Sequence, residues 1–477
     1  MTIRTIFLAR GSISVCAAAL FLAACDNQKE VRRADDAYQQ ALVLNDLGGQ
    51  RRALLALVKA DEDVSDYWIQ LAKIELELGA YSEAYEHFSR AHEIDRTAVY
   101  PLSMMTELAV INGRLDFAED HLKELLVIAP DDRAVAVARG FGALREGNYE
   151  KAQANANVLL AQSPGDSIAN VLQTRILVAQ KKIPDAIDLL DRQLALRADD
   201  RAMLRSLGAI HRYMGSWPKA TAIDLRLWRL APGDALLARQ VVADALRADD
   251  RSLANKVTQR VFTSANAREQ ADGVLSAWSD FGASAGSLGA GPMLPASAPD
   301  QMKIAFAHYL NRIGRPDQAL GVLGRQVRSL GGRSNVAFNA VFAESLFLNG
   351  QAAPARQILD RVLSDEPDDA IALSARAQLL SRVGDHRRAT IDAQRLVASY
   401  ATIADYRVLL AAVYRASKDN RGAERTLWDG YRDLPGNETL YKEVRQVLIS
   451  HGDREGLSRL KNDFNEEKFS RLMKELA

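Results

Sequence analysis

The chain has 477 residues, with 61 Lys+Arg balanced by 61 Asp+Glu. Zero formal net charge excludes the counterion-releasing electrostatics of a general nucleic-acid binder, and a hydrophobic content of 48% excludes wholesale disorder. Aromatics make up only 6%, while Ala, Leu and Arg are abundant, a balance that predicts helices rather than sheets.

The first residues decide the compartment. Arg4 and Arg10 form a basic start, and Gly11 to Ala24 is uncharged and largely apolar. That stretch is shorter than the roughly 20 residues a spanning helix needs, and it ends in small residues, the pattern of a cleaved export signal. Leu22, Ala23, Ala24 and Cys25 resemble the lipobox of bacterial lipoproteins. The resemblance implies cleavage of residues 1–24, diacylglycerol on the Cys25 thiol, and a chain tethered to a membrane and facing the periplasm. Cys16 would leave with the signal, so no disulfide, thiolate metal site or cysteine nucleophile is expected. Asp26 resembles an inner-membrane retention signal of some enterobacteria, a rule that does not transfer to other lineages, so inner against outer membrane stays open.

Residues 25–64 read as a tether and a degenerate first helix pair. From Asp66 a period of 34 residues takes over. Gly79, Gly113, Gly147 and Gly215 fall on it, with Lys181 in the skipped place, and Pro130, Pro164 and Pro232 share the same step. Farther on, Gly350, Gly384 and Gly452 continue the spacing. In the unit from Asp66, Trp68, Leu71, Ala72, Ile74 and Leu78 mark one helical face, and Gly79 ends that helix. Tyr81, Ala84, Phe88, Ala91 and Ile94 mark a second helix. The prolines are followed by Asp132, Asp166 and Asp234, a helix stop joined to an N-cap. The carboxylate pairs Asp131 and Asp132, Asp199 and Asp200, and Asp368 and Asp369 are read as caps rather than acid–base pairs.

This arrangement of Trp, Leu, small residue, Gly, Ala, Phe and Ala resembles the tetratricopeptide repeat (TPR). Glu75 stands where the family usually has an aromatic, and Arg96 where it has a proline. The resemblance implies an all-α fold, a right-handed α-solenoid of stacked TPR helix-turn-helix pairs, with Trp68 and Trp217 in the core. An N-terminal block is expected over 65–268 and a C-terminal block over 300–471. Between them, 269–299 reads as an irregular helix containing Val274, Leu275 and Trp278, then an uncharged Gly/Pro/Ser/Ala loop without a patterned face. Residues 464–477 are amphipathic and suit a helix capping the stack.

Chemistry is scarce. Gly282, Ser284 and Gly286 match a nucleophile-elbow pattern, but no strand precedes the serine, so a Ser284 hydrolase is a remote alternative. The histidines show no metal-binding spacing, and no phosphate-binding loop is present; no cofactor or metal is expected. One charge asymmetry stands out. Residues 26–100 carry 15 acidic against 9 basic side chains, whereas 201–260 carry 11 basic against 5 acidic. In TPR proteins the first helix of each pair lines the inner groove, and the resemblance would place Arg175, Arg205, Arg212 and Arg239 there. Guanidinium groups in such a groove suit carboxylates on a partner's acidic or C-terminal segment. The alternative is that these arginines solvate a helix face while their stems cover apolar surface. The function expected is a lipid-anchored scaffold that binds other envelope proteins in a pilus, secretion or exopolysaccharide-export complex. Direct polysaccharide contact in an export complex is the second reading, and catalysis is not expected.

Overall fold

A computed structural model describes residues 28–264, 267–281, 291–324 and 335–476. Cys25, the signal 1–24 and Ser284 lie outside the described residues, as does the 282–290 half of the expected loop. Among the described residues every regular element is an α-helix, most of them 13 or 14 residues long and joined by short turns. No described helix is long and apolar enough to cross a membrane.

The turns explain the period. Asn45, Gly79, Gly113, Gly147, Lys181, Gly215 and Asp249 all adopt positive φ, at successive steps of 34 residues. Gly314, Gly350, Gly384, Lys418 and Gly452 do the same later in the chain. Each repeat thus reverses direction through one left-handed residue, which lets a following N–H reach back to an otherwise orphaned carbonyl. Lys182 N, for example, bonds to Leu177 O at 2.8 Å, just as Ala80 N bonds to Glu75 O. Lys181 therefore takes the place of a glycine, and Asn45 brings residues 28–60 into the same frame.

The opposite turn is closed by caps. Asp132, Asp166, Asp200, Asp234 and Asp369 each accept a hydrogen bond from a backbone N–H in the first turn of the helix they precede. The first member of the last carboxylate pair is not a cap. Asp368 accepts instead from the Arg395 guanidinium, at 2.6 Å.

The described chain divides between Leu189 and Leu190 into two compact units. In the first, each helix packs on its neighbours in sequence. Ala72, Ala84, Phe88, Met105 and Leu108 form one buried layer, and Val137, Phe141, Ala152, Leu159, Leu172 and Ile176 belong to another. Small residues set the spacing: a Cβ on Gly140 would lie 2.5 Å from Leu172 Cδ2. The expected face of helix Ser65–Leu78 needs correction in three places. Trp68 is only half-buried, its Nε1 donating to Glu62 O at 2.8 Å; Leu78 is exposed; and Glu75 is fully buried. Glu75 accepts from Arg51 Nε at 3.1 Å on the preceding helix and pairs with His87 Nδ1 at 2.6 Å on the following one. A carboxylate replaces the usual aromatic because two neighbouring helices supply its partners.

In the second unit the interruption of the period does not interrupt the core. One apolar cluster runs from Trp228 through Val242, Phe262 and Trp278 to Phe306 and Val341. Helix Ala267–Phe281 is inside it, with Trp278 1% exposed and its Nε1 donating to Thr258 Oγ1 at 2.9 Å. The described part of the expected loop, 291–299, is packed too: Pro292 and Ala298 are buried, and Met293 O accepts from Gln259 Nε2 at 2.7 Å. Trp217, expected in the core, is half-buried under the Arg247 guanidinium. At the C-terminus no separate capping helix forms. Helix Arg454–Glu475 is continuous, because after Gly456 nothing in its sequence stops it.

Candidate functional site

The four arginines singled out in the sequence lie on the first helices of their pairs, and the structure gives them different surroundings. Arg175, in the first unit, is 5% exposed and stacks over the Phe141 ring at 4.7 Å. Its Nε has no hydrogen-bond partner, and burial pushes the guanidinium down to about 9. The remaining three belong to the second unit. Arg205 is exposed on helix Arg201–Tyr213 and makes no ion pair among the described residues. Arg239 reaches Asp280 at 3.5 Å.

Arg212, near the end of helix Arg201–Tyr213, is the centre of a cluster. Its Nη1 lies 2.6 Å from Asp224 Oδ2 and 3.8 Å from Asp244 Oδ2, and its Nη2 lies 3.4 Å from Glu475 Oε2. The sequence places each component for a reason. Gly208 leaves room, since a Cβ there would come within 2.9 Å of Asp224 Oδ1. Asp224 and Asp244 sit on the two following helices, Trp217–Leu230 and Ala235–Arg247, and both carboxylates are buried. Burial alone would lower Arg212; the charges of Asp224, Glu475 and Asp244 outweigh it and hold the guanidinium above its ordinary value.

Asp244 behaves differently. Burial, followed by its hydrogen bond with Asp224, pushes its carboxyl up to about 7. Gln240 Nε2 donates to its Oδ1 at 2.9 Å, whereas Oδ2 finds no donor. An ionised oxygen would be starved there; a protonated one becomes a donor toward Asp224.

The ion pairing continues along this unit. Asp280 bridges Arg239 and Arg312, the latter at 3.0 Å, and Arg312 also lies 3.6 Å from Asp405 at the start of helix Ala404–Ala416. Arg247 is stacked on Trp217 and Phe281, 4.6 and 4.1 Å from the ring centroids, and reaches Asp244 at 3.8 Å. Much of the basic excess of 201–260 is therefore neutralised within the chain. Sequence spacing could not reveal this, because Asp280, Arg312, Asp405 and Glu475 are far away along the chain. Arg205 is the candidate left with its head group in solvent.

Among the described residues no cluster of His, Cys, Asp or Glu is arranged to hold a metal ion. A cavity of about 620 Å³ opens between residues 28–43 and helix Leu47–Ala60 and is lined mainly by Ala34, Ala37, Ala41, Ala53 and Ala56. It holds no convergent set of polar groups of the kind a reaction needs.

No protein-family model matches the chain, and no curated protein matches it. Solved structures do. The MamA protein is similar at 16% identity and a TM-score of 0.28, over 35% of this chain and 92% of its own. A tetratricopeptide repeat protein from Parabacteroides merdae is similar at 13% identity and a TM-score of 0.31, over 59% of this chain and 98% of its own. A chain of the APC/C hetero-tetramer Cut9-Hcn1 is similar at 13% identity and a TM-score of 0.29, over 95% of this chain and 98% of its own. The helix-pair architecture rests on this chain's own 34-residue spacing and packing, not on these likenesses.

Proposed function

We propose that the chain is a protein-binding scaffold of the TPR type. In this reading it is tethered through lipid on Cys25, faces the periplasm, and helps assemble or stabilise a cell-envelope complex for pili, secretion or exopolysaccharide export. The observation that carries the binding role is the array itself. Successive helix pairs present long faces of side chains, and the polar groups gathered on them are paired to one another rather than converging on a cleft. The tether and compartment rest on the basic start, the apolar run and the small residues before Cys25. Arg205 is the residue through which the basic face would meet a partner carboxylate.

Cross-linking with mass spectrometry in intact cells tests the reading. The expected result is cross-links from exposed lysines to a small, reproducible set of envelope proteins, together with an acylated Cys25 at the mature N-terminus. A chain that cross-links only to itself, or whose N-terminal peptide still contains residues 1–24, contradicts it.

A further inference from the structure

In a stack of helix pairs each helix touches its near neighbours in sequence, and distant helices do not meet. The last helix of the second unit breaks that rule. Helix Arg454–Glu475 packs on helix Glu438–His451, its predecessor, and also on helix Arg201–Tyr213. Arg212 meets Glu475 across 263 positions of sequence. Beside that pair, the Tyr213 and Phe469 rings meet edge to face at 6.0 Å, and the Lys468 ammonium lies 5.8 Å from the Tyr213 ring centroid. Leu472 and Leu476, one helical turn apart, are buried alongside.

The two halves of the terminal helix are unlike. Residues 453–459 are mostly exposed, while Phe464 to Ser470 are largely half-buried. The second half is thus held on both sides: by Tyr441, stacked on Phe464 at 4.1 Å, and by Arg212 and Tyr213. Its grip on the second of these is light. Glu475 is half-exposed and 3.4 Å from its partner, the geometry of a pair that contributes little. Arg212, in contrast, is fixed from beneath by Asp224 at 2.6 Å, so its outward Nη2 is preorganised whether or not Glu475 is present.

From this geometry we infer that residues 464–476 are a displaceable latch on a peptide-binding face formed by Arg212 and Tyr213. The partner for that face is an amphipathic helix with an aromatic residue and, six residues later, a carboxylate. Those are the spacing and chemistry by which Phe469 and Glu475 engage it. The inference rests on the scaffold reading and adds which face is used and what occupies it at rest.

The test uses the full-length chain and a fluorescein-labelled peptide of residues 464–477 as the probe helix. Phe469→Ala with Glu475→Lys loosens the latch. The expected result is at least tenfold tighter peptide binding than to the unaltered chain, and loss of that gain when Arg212→Glu is added. Equal binding to all three proteins overturns the inference. So does a shift to dimers in light scattering, which would mean that the helix is exchanged between copies. Hydrogen exchange over residues 201–213 reports whether the latch has opened: a face that opens yet takes no peptide also overturns it, while the scaffold reading still stands or falls on its own cross-links. Should the double variant lose helicity, Glu475→Lys alone, at a half-exposed position, carries the same comparison.

Discussion

Arg212 holds Asp224 at 2.6 Å with one nitrogen and Glu475 at 3.4 Å with another, joining the first helix pair of the second unit to its last helix. The two contacts differ in environment: the Asp224 side chain is 2% exposed and that of Glu475 is 53% exposed. Removing a buried partner leaves a charge uncompensated, whereas removing an exposed one lets water take its place. Asp224→Ala should cost about 2–3 kcal/mol in urea unfolding. That is below the full penalty for an isolated pair, because Asp244, 3.8 Å from the same nitrogen, can ionise in its place. Glu475→Ala should cost under about 1 kcal/mol. Equal losses would contradict this ordering.

Asp244 gives the second unit a pH dependence with a definite sign. Its folded value, about 7, lies above the ordinary 3.8. Between those limits the folded state holds a proton that the unfolded state has released, so stability falls as pH rises from about 4 to about 7 and levels off above. Asp244→Asn keeps the shape, still accepts from Gln240 and donates toward Asp224. At pH 8 it should unfold at a higher urea concentration than the unaltered protein, and the advantage should vanish at pH 4. A variant that loses stability equally at both pH values would show that Asp244 is ionised in the folded state.

Arg175 is buried on an aromatic ring with no carboxylate to balance it. Replacing it by an unbranched apolar side chain removes a desolvated charge and keeps the stem packing. Arg175→Met should therefore be neutral or should stabilise, by up to about 2 kcal/mol. If Arg175 instead served a partner from this position, the variant would lose partner binding at unchanged stability.

Three turns carry a residue other than glycine in the left-handed conformation: Lys181, Asp249 and Lys418. Left-handed backbone costs an ordinary residue about 1–2 kcal/mol, partly offset by the entropy that glycine loses on folding. Lys181→Gly and Lys418→Gly should each stabilise by about 0.5–1 kcal/mol. The reverse change, Gly113→Ala, adds a Cβ that meets nothing within 4 Å, so its cost is conformational alone, about 1 kcal/mol. Thermal unfolding of the four proteins gives the comparison directly.

The repeat frame is readable in the sequence because turns and caps are local. Gly79 and its equivalents, and the capping aspartates after each proline, act on backbone within a few residues of themselves. Even the skipped glycine at Lys181 is visible as a gap in the period. Size and spacing alone assign Trp68 to the core, yet its indole N–H needs a partner and finds Glu62 O near the surface. Glu75 is the converse case: a carboxylate belongs inside once two other helices bring Arg51 and His87 to it. The same limit hides the Arg212 cluster. Basic excess counts charges along a segment, while neutralisation depends on Asp280, Asp405 and Glu475, which only the folded chain brings near. Helix Ala267–Phe281 has no repeat signature, but Val274, Leu275 and Trp278 already carry the spacing that buries it.

A photo-cross-linking amino acid placed at position 205 in the full-length chain, in its own cells, tests the binding account most directly, because Arg205 is the exposed arginine of the basic face. The account predicts a discrete protein adduct there and none from the same probe at Val127, which is 82% exposed on a helix of the other unit. Adducts to polysaccharide alone, or the same diffuse labelling from both positions, would contradict it.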